Sequence, residues 1–186
     1  MKVQLTNVFI LCEDLQTYTF IRRFLVRQGV NDRRFAPIDF KARKGSGEQY
    51  VREQLPNELK VYRRKCHHQM NALIVAIDAD TGEVARRVRE LENECKQKGI
   101  DPRQSDDRVM YVIPKRNIET WLAYLSGSEV NENDEYKRLD FERDCQGCVD
   151  RLSAMCKSKK LREPAPPSLQ TACTEYERFR CLMDQG

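Results

Sequence analysis

Short runs of consecutive apolar residues alternate, over the first two thirds of the chain, with stretches in which apolar residues return every three or four positions. The segment Val3 to Cys12, with Val8-Phe9-Ile10-Leu11 inside it, predicts a strand buried on both faces. Glu13-Asp14 ends it. Leu15, Tyr18, Ile21, Leu25 and Gln28 then recur at helical spacing up to Gly29, a natural helix stop. Phe35 to Phe40 predicts a less regular strand, and Lys41-Ala42-Arg43-Lys44-Gly45-Ser46-Gly47 an exposed loop rich in cations and glycine. A polar helix follows, with a predicted interruption near Pro56. The strongest apolar run, Ala72 to Ile77, leads directly into Asp78-Ala79-Asp80-Thr81-Gly82-Glu83. Val84, Val88, Leu91 and Cys95 predict the next helix, ended by Gly99, and Val109 to Ile113 a further strand closed by Pro114.

Beyond Pro114 the strand signal stops. Asn117 is placed to cap a helix carrying Ile118, Trp121, Leu122 and Leu125, which Gly127 ends; at that spacing Trp121 reads as core. From Tyr136 onward only helical patches remain, with Ser168 as the expected cap of the last helix. Alternating strands and helices imply an α/β fold with a mainly parallel sheet flanked by helices, whose sites form beyond the carboxyl ends of the strands. The expected organisation is an α/β domain over 1–127 and a helical C-terminal appendage over 128–186 packed on it.

Composition narrows the class. Of 186 residues 40% are apolar and fall in runs, which describes a globular protein rather than a disordered one. The 33 basic and 29 acidic residues nearly cancel, so a polyanion would be held by local patches such as Arg22-Arg23, Arg33-Arg34 and Arg63-Arg64-Lys65, not by a global field. No run approaches the ~20 apolar residues of a membrane span, and no signal peptide is recognisable, so a cytoplasmic location and no membrane partner are expected. Eight cysteines in this context read as reduced thiols; Cys145-x-x-Cys148 has no second pair at zinc spacing.

The chemistry lies in the acids. Glu13 ends the first strand, Asp78 and Asp80 follow the strongest one, and Lys115-Arg116-Asn117-Ile118-Glu119 follows a later one. A parallel sheet brings these to one edge. Clustered carboxylates repel and lose hydration, so a cation is needed to hold them together, and an all-oxygen set selects magnesium or manganese. A plainer reading exists for each acid alone: Asp80 and Glu83 as a capping box, Glu13 or Asp14 as a helix cap. Asp78 fits that reading poorly, because it stands two residues before the cap position.

The strand ending in Glu13, the strand ending in Asp78-x-Asp80 and the intervening helices resemble the TOPRIM domain of topoisomerases, primases and OLD-like nucleases. Leu11-Cys12-Glu13-Asp14, Lys44-Gly45-Ser46-Gly47 and Ile113 to Trp121 are similar to the small stand-alone TOPRIM proteins related to OLD nucleases, several linked to phage defence. The resemblance covers roughly residues 3 to 125. It implies a TOPRIM, Rossmann-like fold, Glu13 as the glutamate that moves a proton or binds metal, Asp78 and Asp80 as metal ligands, and Glu83 and Glu119 as further ligands. The glycine common after the first glutamate is Asp14 here, which predicts an altered turn or an added ligand.

The implied activity is metal-dependent hydrolysis of nucleic-acid phosphodiester bonds, DNA more than RNA. Lys115 would steady charge on the phosphate, while Arg43, Lys44, Ser46 and Arg116 would grip neighbouring phosphates. A Walker A motif is absent from the sequence, so nucleotide-driven gating would need a separate ATPase partner. The alternatives are a catalytically silent nucleic-acid-binding or scaffold protein on the same fold, and a receiver-like signalling module, whose order of acids fits less well.

Overall fold

The computed structural model of the chain describes residues 5–41 and 45–184. Three strands, β1 (Asn7–Cys12), β2 (Asn71–Ala76) and β3 (Val109–Val112), form one sheet in the order β1-β2-β3, all parallel. The strongest apolar run thus supplies the central strand. Among the described residues six α-helices flank the sheet: α1 (Leu15–Arg27), α2 (Gly47–Lys65), α3 (Val84–Gln97), α4 (Ile118–Leu125), α5 (Gln146–Ser158) and α6 (Pro167–Asp184). This is an α/β, Rossmann-like arrangement with a helical C-terminal part.

Alternation along the strands sorts the core into two layers. Val8, Ile10, Ile74, Met110 and Val112 face α1, α4, α5 and α6, where Phe24, Trp121, Val149 and Phe179 close the larger core. Leu11, Leu73, Val75, Ile77 and Tyr111 face the other way, against Val51, Leu55 and Leu59 of α2 and Leu91 of α3. The C-terminal helices therefore share a core with the sheet. Trp121 is buried there as expected, and its indole N–H donates to Ser168 Oγ at 2.8 Å.

Four sequence expectations change. Residues 35–40 form no strand; a single parallel bridge joins Val8 to Phe35, and Ala36 N–H donates to the Val8 carbonyl at 2.9 Å. Pro56 does not interrupt α2, which runs unbroken from Gly47 to Lys65. An internal proline costs about 3 kcal/mol, but Val51, Leu55, Leu59 and Tyr62 are each buried on that helix, at about 1.5–3 kcal/mol apiece. Burial wins. Ser168 lies inside α6, and its amide and hydroxyl both donate to Glu132, which closes the helix start from the loop before α5. Asp80 and Glu83 form no capping box: Glu83 is the N-cap of α3 and makes no side-chain cap bond.

Side chains of α6 occupy the free edge of β3, the expected remedy for an unpaired strand. Arg178 and Arg103 donate to the Val109 carbonyl, and Glu175 accepts from Tyr111 N–H at 3.4 Å. No helix among the described residues is long and apolar enough to cross a membrane.

Candidate functional site

Register places the acids. Cys12 pairs with Ala76, so Glu13 emerges level with Ile77 and one residue short of Asp78, and Glu13 Oε1 accepts from Asp78 N–H at 2.6 Å. The chain beyond β2 stays alongside the chain beyond β3: Ile77 N–H donates to Val112 at 3.2 Å, Ala79 to Pro114 at 2.9 Å and Thr81 to Lys115 at 2.8 Å. On the other side the first residue of α2 lies hard against Glu13. A Cβ on Gly47 would stand 2.8 Å from both the Cβ and the carbonyl oxygen of Glu13. Because backbone cannot step aside, Gly47→Ala is expected to cost about 1–3 kcal/mol in urea unfolding, with native-like stability as the contrary result.

Charge accumulates where these elements meet. Burial pushes the Asp78 carboxyl up to about 9, and Glu13, Asp14, Glu119 and Asp80 each press it the same way. Burial likewise raises Glu13 to about 7; the Asp78 amide bond pulls it down, while Asp80 and Asp14 push it up. Glu119, buried in the first turn of α4, is raised by burial and accepts from Gln16 Nε2 at 2.8 Å. Gln16 is fully buried, and its own carbonyl oxygen accepts from Leu139 N–H at 3.1 Å, tying the acidic edge to the C-terminal part. Sequence reasoning missed Gln16.

Asp80 meets a cation from within the protein. Arg87 of α3, only 5% exposed in its side chain, donates to Asp80 at 2.6 Å and Glu48 at 2.7 Å, and pairs with Glu90 at 3.0 Å. Burial would raise Glu48, but the hydrogen bonds from Arg52 and Arg87 hold it below its ordinary value. The sequence carried a signal for this: Arg87 falls on the face of α3 marked by Val84, Val88 and Leu91. Removing the guanidinium leaves three neighbouring, partly exposed carboxylates without their shared cation, so Arg87→Met is expected to lower stability by roughly 1–2 kcal/mol, read by denaturant unfolding; an unchanged midpoint would contradict it. Asp80 and Thr81 both adopt left-handed backbone, φ 50° and 65°. That conformation is disfavoured for β-branched threonine and costs about 1 kcal/mol or more, so the surrounding bonds must hold it in place.

The remaining predicted residues divide. Asp14 has extended backbone, φ −143°, which requires no glycine, and its carboxylate caps α1 by accepting from Thr17 N–H at 2.8 Å. Lys115 is half-buried and makes no ion pair with a described residue. Arg116 is not free for phosphate here: its guanidinium binds Glu135 and the Asn133 carbonyl, the latter at 3.1 Å. Ser46 caps α2 through Gln49 N–H at 3.2 Å. Glu83 is exposed at the start of α3, outside the set that presses on Asp78. Arg43 and Lys44 lie outside the described residues.

The donor set, carboxylates crowded and buried until Glu13, Asp78 and Glu119 are pushed toward protonation, suits a hard divalent cation in its chemistry. Glu13, Asp78 and Asp80 are the residues that would hold one. They are not already drawn into a cage: among the described residues no group of three His, Cys, Asp or Glu side chains converges to metal-binding geometry. Glu13 Oε1 is engaged by the Asp78 amide, and one Asp80 oxygen by Arg87.

Fold and site together define an α/β protein with a parallel sheet and an electrostatically strained acidic cluster at its carboxyl edge. The chain matches no protein-family model, and comparison with curated proteins and with solved structures finds no match.

Proposed function

We propose that this chain is a TOPRIM-type, metal-dependent nuclease that hydrolyses phosphodiester bonds of nucleic acid, with DNA favoured over RNA. The observation that carries the reading is the clustering of Glu13, Asp78, Asp80 and Glu119 at one sheet edge, with Asp78 pushed up to about 9 and Glu13 to about 7. Uncompensated, such a cluster costs stability, and a cationic ligand is the direct remedy. Magnesium or manganese held by Asp78, Asp80 and Glu13 would supply positive charge against a phosphate oxygen and lower the pKa of water.

The chain's own groups serve the rest. Glu13, bonded to the Asp78 amide at the same edge, would accept the proton from the attacking water through the carboxylate oxygen that this amide does not engage. Lys115, which has no ion-pair partner among the described residues, stands on the same edge to offset charge gathering on the phosphate. The face of α1 beyond its Asp14 cap carries a groove of about 550 Å³ lined by Arg22, Arg23 and Arg27, which are held by Asp32, by Gln146 and the Arg143 carbonyl, and by Asp150, and which would seat the backbone on exchanging those partners for phosphate. Arg116 would join it on release from Glu135.

The test is incubation of the full chain with single- and double-stranded DNA and RNA, in magnesium or manganese and in chelator. Cutting that requires metal is expected. Binding without cutting under either metal would sink the nuclease reading and favour the silent nucleic-acid-binding protein.

A further inference from the structure

Helices α5 and α6 face each other across a surface cleft of about 210 Å³. Its lining carries two thiols, Cys156 on α5 and Cys173 on α6, both half-buried and near enough to perturb one another's ionisation. Lys159, Lys160 and Arg180 also line the cleft, against the single carboxylate of Glu177. A second, apolar void of about 40 Å³, lined by core residues such as Phe24 and Trp121, touches the same two cysteines and leaves the sulfurs room to rearrange. The other pair that is close in sequence, Cys145 and Cys148, is packed in the core, where Cys148 Sγ meets the Leu122 carbonyl at 3.5 Å.

We infer that Cys156 and Cys173 form a dithiol site that reacts with anionic low-molecular-weight disulfides and closes to an intramolecular cystine joining α5 to α6. This inference is independent of the acidic edge. The two sulfurs have distinct roles. The neighbouring Cys173 thiol holds the Cys156 thiol below its ordinary value, while Cys156 and burial raise Cys173. Cys156 also stands on the cationic wall of the cleft, three and four residues before Lys159 and Lys160 and near Arg180, which makes it the attacking thiolate. Its sulfur bonds to one sulfur of the incoming disulfide, whose S–S bond breaks and releases one thiolate. Cys173 then attacks Cys156 Sγ, passes its proton through solvent to the departing thiolate, and expels the second half of the reagent. One disulfide is reduced to two thiols and the protein dithiol is oxidised by two electrons. The three cations select an anionic reagent. Glu175 and Arg178, which cover the edge of β3, share α6 with Cys173, so the cross-link fixes the helix that guards the sheet.

The experiment treats the reduced, full-length protein with oxidised glutathione or with cationic cystamine and maps peptides under non-reducing conditions. Exposed Cys181 is the internal reference for simple accessibility. The Cys156–Cys173 peptide pair is expected to form on the order of tenfold faster than an adduct on Cys181, and faster with glutathione disulfide than with cystamine. Cys173→Ser is expected to trap a mixed disulfide on Cys156. Modification of Cys181 with the pair untouched, or a persistent adduct on Cys156 in the native chain, would overturn the inference; both are read on the native protein and need no variant to fold.

Discussion

Asp78→Asn is expected to reduce metal-dependent cleavage on the order of a thousandfold while leaving the fold in place. Burial raises Asp78 further than any other acid at the sheet edge, and four other carboxylates press on it. Removing one ligand charge about 4 Å from a cation, at an effective dielectric near 20, forfeits about 4 kcal/mol, and each 1.4 kcal/mol is tenfold in rate. Asp80→Asn is expected to cost less, about ten- to a hundredfold. The Asp80 side chain is 67% exposed, so water screens it, and it already shares its charge with Arg87. The two variants should therefore separate in a metal titration: raising magnesium restores much of the Asp80→Asn activity and little of the Asp78→Asn activity. Native-like cutting by Asp78→Asn would remove this residue from the site and, with it, the assignment of the cluster as catalytic.

Strand-terminal acids were legible because the parallel sheet obliges them to meet. The apolar runs 8–11, 72–77 and 109–113 marked three strands, and whatever follows a parallel strand arrives at the same edge. What could not be read was set by contacts distant in sequence. Gly47 reads as loop glycine until the structure brings α2 against Glu13. Arg116 reads as a free cation, yet the Glu135 loop folds back to hold it. Pro56 carries a strong local signal for a helix break, and tertiary burial of the same helix overrides it. Residues 35–40 have strand-like composition but meet only one residue of β1, so the ladder does not propagate. Local pattern predicts elements; the partners of polar side chains depend on packing that no window of sequence contains.

The metal-free protein is expected to lose stability as pH rises through neutrality, the reverse of the usual carboxylate behaviour. In an unfolded chain both acids titrate near 4. In the fold Glu13 titrates at about 7 and Asp78 at about 9. Between those limits the folded state holds more protons than the unfolded state, so unfolding releases protons and higher pH favours it. The stabilising effect of the protonated forms is whole below about pH 4. Glu13's share is lost by about pH 7, and Asp78's share continues to fall to about pH 9. Solvent at Glu13 softens the dependence, and a slope of roughly 1 kcal/mol per pH unit between pH 5 and 7 is expected in chelator. Asp78→Asn cannot ionise, so its slope flattens, and at pH 8 without metal it should be more stable than the native protein by on the order of 2–3 kcal/mol. Manganese changes the sign. A cation binds the ionised carboxylates, so in its presence native stability rises with pH and with metal concentration, while Asp78→Asn gains little. Thermal melts across pH, with chelator and with manganese, read all four curves. If native protein and Asp78→Asn fall in parallel with pH, the carboxyl of Asp78 ionises without penalty and the acidic edge has no unmet demand for a cation.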